Sequence, residues 1–137
     1  MITLIKNAKI YSPNPLKGRE ILISDGTIAA ISDKITLIGC DINVVDASGC
    51  YVCPGFIDEH VHITGGGGQM GHSSFIPEAT VADLAAVGTT TVLGLLGTDG
   101  FVKELSTLYS KTKALDEQGI TAYMLTSYYG LPEKTIT

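Results

Sequence analysis

Hydrophobic residues in the first 52 positions occur in short extended runs separated by prolines, glycines and polar residues. The strand-like runs are Ile2–Tyr11, Ile21–Ser24, Thr27–Ile31 and Asn43–Asp46. Asp25 and Gly26 separate the second and third runs, and Asp-Gly is a strong sequence signal for a tight β-hairpin. The pattern predicts that residues 1–52 are a β-rich segment of a small sandwich domain.

After residue 52 the pattern changes, because strand-like runs alternate with helix-like segments. The predicted strands are Phe56–Ile63, Thr89–Leu96 and Ile120–Ser127. The predicted helices are Pro77–Val87, with Pro77 at the opening position and Gly88 at the end, and Lys103–Gln118, ended by Gly119. Such alternation indicates an α/β fold with a parallel sheet.

Three strands and two helices do not complete an α/β domain, since the third strand would be an apolar edge with unpaired backbone groups. A TIM-like (β/α)8 barrel takes about 250 residues. We therefore expect residues 53–137 to be the first three βα units of an incomplete barrel. On this interpretation the chain is the N-terminal third of a longer protein.

Composition and charge narrow the classes of partner. The chain has 137 residues, 45% of them hydrophobic, with nine basic against fourteen acidic side chains. No basic run could follow a phosphate backbone, so we expect no nucleic-acid partner. Lys6 and Lys9 interrupt the N-terminal apolar residues, which argues against a signal peptide. Apolar segments shorter than the ~20 residues of a membrane helix predict a soluble, cytoplasmic protein without a membrane partner.

The three cysteines do not form a disulfide framework, because their number is odd and small. Cys50 and Cys53 form a C-x-x-C, but it lies in an extended apolar run. A redox pair is expected at a helix start, and a zinc knuckle needs a second pair of ligands. We interpret both cysteines as structural.

The candidate chemistry begins at the segment DEHVHITGGGG, residues 58–68. Residues i and i+2 of a strand share a face, so His60 and His62 are predicted to point the same way. Two imidazoles near the carboxyl end of a buried strand can bind one ion of zinc, manganese or iron. The alternative is an ordinary polar strand face. Asp58 either orients a ligand histidine or is simply polar, and His72 is expected in a loop.

Polar and glycine residues follow each predicted strand. Gly65–Gly68 would let backbone N–H groups approach a ligand, although four glycines could also be a flexible linker. Thr98 and Asp99 follow the second strand, and Tyr128 and Tyr129 follow the third. The carboxyl ends of parallel strands meet at one rim, so these groups are expected together, while each alone could be a turn residue or a surface aromatic.

Residues 54–62, PGFIDEHVH, resemble the P-G-[FLM]-[IV]-D-x-H-x-H signature of the amidohydrolase superfamily of metal-dependent hydrolases. The continuation ITGGGG, followed by GLLGTD and YMLT, resembles its isoaspartyl (β-aspartyl) dipeptidase family. The resemblance implies a metallo-hydrolase barrel that acts on isoaspartyl dipeptides and forms a homo-oligomer. It also implies a binuclear zinc centre with His60 and His62 as its first ligands. A bridging carboxylated lysine and the other ligands would lie beyond Thr137.

The same resemblance implies roles for further residues. Gly67, Gly68 and Gln69 would hold the α-amino group of the substrate, Thr98 would contact substrate, and Tyr129 would be catalytic by polarising the scissile carbonyl. The family has glutamate where this chain has Gln69. A neutral amide pairs with an ammonium group less strongly than a carboxylate does, which puts strict preference for isoaspartyl dipeptides in question.

Two other functions stay open. A cyclic amidase of the same superfamily, such as a dihydroorotase or hydantoinase, shares the histidine pair. A non-catalytic assembly protein would have kept the fold and lost the metal. The 137-residue segment alone is expected to be inactive and to bind metal weakly, since two ligands supply only part of a coordination sphere.

Overall fold

The structure, a computed structural model, describes residues 1–16, 19–68, 70–97, 100, 103–128, 130–132 and 135–136. The chain divides into two compact units, Met1–Pro54 and Gly55–Thr137. We refer to them as the β-rich unit and the α/β unit.

The β-rich unit contains two small sheets. Its strands are β1 (Ile2–Lys6), β2 (Lys9–Tyr11), β3 (Pro15–Leu16), β4 (Glu20–Ser24), β5 (Thr27–Ser32), β6 (Asn43–Asp46) and β7 (Tyr51–Val52). One sheet has the order β5-β4-β1-β6 and the other β3-β2-β7. Leu4, Ile10 and Ile21 are buried in this unit. The all-β prediction for this part of the sequence is confirmed.

The predicted Asp-Gly hairpin is present between β4 and β5, which pair antiparallel. Asp25 has φ 48° and Gly26 φ 78°. Positive φ at both central residues is what a type I′ turn requires, and this turn matches the twist of the two strands. Local turn chemistry therefore sets the register of this hairpin.

The α/β unit is built on a parallel three-stranded sheet. Its elements are β8 (Phe56–Val61), β9 (Gly66–Gly68), β10 (Gly71–Ile76), α1 (Val81–Ala86), β11 (Thr89–Gly94), α2 (Leu105–Glu117) and β12 (Thr121–Met124). The strand order is β12-β11-β8, so β11 is central. The three predicted strands and two predicted helices are confirmed, with ends that differ by a few residues.

The first helix begins later than predicted. Thr80, not Pro77, precedes its first turn, and the Thr80 Oγ1 accepts the Asp83 N–H at 3.2 Å. In return, the Thr80 N–H donates to Asp83 Oδ2 at 3.1 Å, which completes a capping box. The hydrogen bonds from the Thr80 side chain and backbone lower the pKa of the Asp83 carboxyl. The placement of Pro77 at the helix start was wrong, because reciprocal capping at Thr80 satisfies the free N–H groups.

The glycine run, for which the sequence left a ligand-approaching segment or a flexible linker open, forms a strand, so the linker alternative was wrong. Gly66–Gly68 form β9, which pairs antiparallel with Gly71–Ile76 in β10. His72, expected in a loop, consequently lies in β10. We call these two strands the glycine hairpin.

The core of the α/β unit lies between the sheet and its helices. Val92 of β11 and Leu108 of α2 are fully buried. The buried members of this cluster are Ile63, Leu84, Val92, Leu96, Leu105, Leu108, Leu115, Ile120 and Ala122. β8 differs from β11, since its residues from Phe56 to His60 are exposed in the described part of the chain. Neither described helix has the length and apolar composition needed to cross a membrane.

Candidate functional site

The carboxyl ends of the three parallel strands meet at one place, which we call the rim. The Leu95 N–H donates to the Val61 carbonyl at 3.1 Å and thereby joins the ends of β11 and β8. The Leu125 N–H donates to the Gly94 carbonyl at 2.9 Å and joins the ends of β12 and β11. Side chains that follow these strands are therefore brought together, as expected for a parallel sheet.

The rim carries the two predicted histidines. His60 is in β8 and His62 lies directly after its end, with ring centroids 5.6 Å apart and ring planes inclined by 37°. Zinc–nitrogen bonds of about 2.0–2.1 Å in a tetrahedral site would place two ligand rings about 5 Å apart. The spacing and the imidazole chemistry therefore fit a shared metal ion. That both histidines bind metal stays a prediction.

The described residues do not complete a metal site around the two histidines. Within the described ranges, no group of three or more histidine, cysteine, aspartate or glutamate side chains comes together around a potential ion. A catalytic zinc site usually has three protein ligands and an open position. A metal centre at His60 and His62 would need ligands in addition to the described residues around them.

The His62 ring packs directly against a glycine. A Cβ atom added at Gly97 would stand 2.2 Å from both Nδ1 and Cε1 of His62. The turn after β11 can therefore approach the imidazole only because residue 97 lacks a side chain. This requirement could not be read from the sequence, where Gly97 looks like an ordinary turn residue.

Asp58 has a defined partner near the histidines. Its Oδ1 accepts the backbone N–H of His60 at 3.1 Å. Of the two interpretations left open by the sequence, the orientation of an imidazole by this carboxylate is not seen in the described part of the chain. Asp58 instead fixes the backbone of β8 next to His60.

The glycine hairpin starts immediately after the histidines. Gly65 has φ 68°, and a Cβ there would lie 2.4 Å from the Ile76 carbonyl oxygen. Both facts require glycine where the two strands of the hairpin come together. Gly67 and Gly68 lie in β9, whereas Gln69 lies outside the described residues. The predicted contact of these three residues with a substrate amino group stays a prediction.

A cleft of about 490 Å³ opens at the rim. It is lined by His60, Leu95, Leu96, Leu125, Thr126, Ser127 and Tyr128. Most of these residues were not predicted from the sequence, and the one available signal was their position directly after β11 and β12. Their aliphatic and aromatic side chains suit an organic ligand held beside a histidine.

The Tyr128 ring packs closely against two glycines. Cβ atoms added at Gly100 and Gly130 would lie 2.4 Å and 2.3 Å from carbon atoms of its ring. Tyr129 and the two predicted residues after β11, Thr98 and Asp99, lie outside the described residues. Their predicted places at the rim, and the substrate roles of Thr98 and Tyr129, stay predictions.

The cysteines of the β-rich unit show no sign of a site. Cys50 and Cys53 lie on either side of β7, and both are exposed free thiols. Cys40 is also exposed and unpaired. The structural interpretation of the C-x-x-C stays an interpretation.

Comparison with known sequences gives several enzyme relatives, although no family model matches the chain. A dihydroorotase of Staphylococcus epidermidis is 45% identical over 89 residues, covering 65% of this chain and 20% of that protein. A D-hydantoinase of Geobacillus stearothermophilus is 38% identical over 93 residues, covering 68% and 19% of the two chains. The chain thus spans about a fifth of the length of these curated relatives.

Among the solved structures, similar proteins were found that match this chain along its entire length. The β-aspartyl dipeptidase of Fervidobacterium islandicum AW-1, crystallised in complex with β-Asp-Leu, matches with a TM-score of 0.90 and 37% identity. The match covers 100% of this chain and 36% of the dipeptidase. A D-hydantoinase structure matches 82% of this chain and 24% of its own, with a TM-score of 0.60 and 31% identity.

These similarities confirm the predicted fold class, an N-terminal portion of a barrel enzyme preceded by a β-rich segment. The relatives differ in their named substrates, but their names and folds agree on a common superfamily. By sequence and by fold, the chain belongs to the amidohydrolase superfamily.

Proposed function

We propose that the chain is the N-terminal part of a metal-dependent hydrolase that cleaves the β-aspartyl peptide bond of dipeptides. The observation that carries this proposal is the similarity to a β-aspartyl dipeptidase over 100% of the chain, with a TM-score of 0.90. The hydantoinase structure has a TM-score of 0.60 over a smaller part of the chain. The glycine hairpin and the rim are therefore interpreted by comparison with the dipeptidase.

His60 and His62 are the residues that would hold the metal, which we propose is zinc. When bound, zinc supplies a water whose pKa falls to about 7 and polarises a carbonyl group. The two rings, 5.6 Å apart, have the donor type and spacing for that role. The Asp58 carboxylate holds the His60 backbone in place, so this ligand is positioned before substrate binds.

The cleft would hold the dipeptide beside the histidines. Leu95, Leu96 and Leu125 provide an apolar wall against which the dipeptide would pack. Tyr129 follows Tyr128 in the sequence, and its hydroxyl would stabilise the developing oxyanion by hydrogen bonding. Thr98, after β11, would contact substrate from the neighbouring strand.

The glycine hairpin would bind the amino end of the substrate. Backbone groups of Gly67 and Gly68 can approach an ammonium group closely because no Cβ intervenes. Gln69 offers a neutral amide oxygen at the point where a carboxylate would bind more strongly. We therefore expect a weaker preference for a free α-amino group than a glutamate at this position would give.

The second candidate is a cyclic amidase. Its support is the 45% identity to a dihydroorotase and the 38% identity to a D-hydantoinase. Both candidates use the histidine pair, so metal dependence does not distinguish them. A non-catalytic assembly protein is the third candidate, and purification of the complete protein without stoichiometric metal would favour it.

The deciding experiment is an assay of the complete protein with β-Asp-Leu, α-Asp-Leu, dihydroorotate and hydantoin. We expect hydrolysis of β-Asp-Leu well above the other three, loss of activity with a chelator, and recovery after addition of Zn²⁺. Faster turnover of dihydroorotate or hydantoin would replace the dipeptidase proposal with the cyclic amidase. Hydrolysis that is indifferent to the chelator would end the metal hypothesis.

A further inference from the structure

A lysine outside the histidine pair connects the rim to the glycine hairpin. Lys103 precedes α2, and its Nζ donates a hydrogen bond to the Thr64 carbonyl. The same Nζ lies 5.0 Å from the centroid of the Phe75 ring, a cation–π contact. Thr64 stands just before the first strand of the hairpin and Phe75 is in the second, so one ammonium group contacts both sides.

The Thr64 carbonyl depends on such a partner. Thr64 is 1% exposed, and its hydroxyl has no hydrogen-bond partner within the part of the chain that the structure describes. A buried carbonyl without a donor is unfavourable, so Lys103 satisfies a group that water does not reach. Loss of the ammonium group would therefore disturb the turn that leads into β9.

The glycine hairpin is a small element whose second strand is partly exposed. It is a two-stranded sheet, and Phe75 and Ile76 in its second strand are 54% and 48% exposed. An isolated two-stranded hairpin is marginally stable in water. Contacts at its base consequently decide how well its position is defined.

The turn at this base also follows a candidate metal ligand. The Gly65 N–H donates to the His62 carbonyl at 2.8 Å, and the Ala79 N–H donates to the Ile63 carbonyl at 3.2 Å. These backbone bonds fix the two sides of the turn, and Lys103 adds a side-chain bond at Thr64 between them. Among the described residues, one lysine ammonium group and two backbone hydrogen bonds thus contact the base of the hairpin.

We propose that Lys103 is a positioning residue that holds the glycine hairpin beside the rim, so that Gly67 and Gly68 meet the substrate amino group. The substrate part of this inference rests on the proposed function. The anchoring part does not, because it concerns only the order of β9 and β10. Lys103 acts through the hairpin and is assigned no contact with the reacting atoms.

The test uses Lys103→Met and Lys103→Arg in the complete protein. Methionine keeps the apolar stem and loses both the hydrogen bond and the cation, while arginine keeps both. For K103M we expect the KM for β-Asp-Leu to rise about tenfold, with kcat within about threefold, because a buried carbonyl loses its partner. K103R should return KM to within about threefold of the wild-type value.

Hydrogen–deuterium exchange provides the readout that does not depend on activity. Amides of Gly66–Gly68 and Gly71–Ile76 should exchange faster in K103M than in the wild type or in K103R. Lys113→Met is the matched control, because Lys113 pairs with Asp116 at 3.6 Å and lies 5.8 Å from the Tyr109 ring on its own helix. K113M should leave both hairpin exchange and KM unchanged.

The outcomes separate the two proposals. Unchanged hairpin exchange in K103M overturns the anchoring, and faster exchange without a change in KM overturns the substrate-positioning part. If the wild type does not hydrolyse β-Asp-Leu, the proposed function fails, while the exchange comparison still decides the anchoring. If K103M does not fold, Phe75→Leu is used instead, because this variant removes the aromatic ring that Lys103 contacts. Hairpin exchange in F75L that equals the wild-type exchange would contradict the proposal.

Discussion

The core and the rim of the α/β unit use the same strands in opposite ways. In the core, Val92 and Leu108 are fully buried and contribute only shape and apolar surface. At the rim, His60 is exposed and His62 is held against Gly97. The comparison teaches that the α/β unit is stabilised by the core between the sheet and its helices, and is expected to act at the strand ends. Substitutions in the core should therefore lower stability, and substitutions at the rim should lower activity.

The largest expected effect is at the rim. His60→Ala in the complete protein should lower kcat/KM on the order of 10³-fold, because a metal ion contributes several kcal/mol to catalysis. Bound metal, measured by elemental analysis, should fall in parallel. His60 is exposed, so the thermal midpoint of unfolding of the metal-free protein should hardly change.

Glu59→Ala is the matched control for this variant. Glu59 is exposed on the same strand and precedes His60 directly in the sequence. It should retain activity and metal. Equal losses of activity and metal in E59A and H60A would show that both depend on the integrity of β8 and not on the His60 imidazole.

The next effect is in the core. Leu108→Ala should reduce the free energy of unfolding by about 2–5 kcal/mol, because it removes a fully buried side chain and leaves a cavity. Denaturant titration measures this loss. The kcat/KM of the fraction that is folded should stay near the wild-type value.

Val87→Ala serves as the reference for that measurement. Val87 is 65% exposed at the end of α1, and its truncation should cost less than about 1 kcal/mol. A similar loss of stability in L108A and V87A would contradict the assignment of the core.

Two glycines, one at the rim and one in the core, allow the sharpest test of the difference between these regions. A Cβ at Gly97 would stand 2.2 Å from the His62 ring, while a Cβ at Gly94 would stand 2.5 Å from Ile63 Cδ1 in the core. Gly97→Ala should lower metal affinity about 10–100-fold by displacing a ligand. Gly94→Ala should cost about 1–3 kcal/mol of stability by overpacking, with a smaller effect on metal affinity.

Competition with a chelating dye and denaturant titration, applied to both glycine variants, measure the two quantities. If both variants lose metal affinity and stability in the same proportion, core and rim are not separable in the way described.

The smallest expected effect is at the cap of α1. Thr80→Ala should cost about 1 kcal/mol of stability at neutral pH, because a capping hydroxyl is lost. The Asp83 half of the capping box adds a pH dependence, since its pKa is lowered in the folded protein by bonds from Thr80. A lowered carboxyl pKa stabilises the fold above the unfolded pKa of about 4, and this contribution is lost as the pH falls through the folded value.

Denaturant titration at pH 7 and at pH 3 checks this prediction. The difference between wild type and T80A should be smaller at the lower pH. Ser110→Ala, an exposed change on α2, is the control and should be neutral at both values. If the difference in stability between wild type and T80A is larger at pH 3 than at pH 7, Asp83 does not act through Thr80.

The sequence predicted the parallel strands because their apolar runs are bounded by glycine and proline. It did not predict the glycine hairpin, since a run of four glycines followed by GHSSFI has no apolar alternation; these strands are defined by backbone pairing. The helix start was misplaced because Pro77 is a common opening residue, whereas the threonine–aspartate capping box lies three residues further on.

At the site, the i, i+2 spacing predicted that His60 and His62 lie side by side, and their ring centroids are 5.6 Å apart although His62 follows the end of β8. The cleft residues Thr126 and Ser127 carry no distinctive pattern, so only their position after β12 could have indicated them. The contact of Lys103 with Thr64 joins residues 39 positions apart, and no local pattern encodes such a pair.

The packing of the His62 ring against the turn after β11 couples two positions that are far apart along the chain. The imidazole occupies the volume that a methyl group at residue 97 would need, so substitutions at 62 and 97 cannot be chosen independently. A library that seeks new metal or substrate preferences should therefore vary these two positions jointly and keep the glycine wherever the histidine is kept.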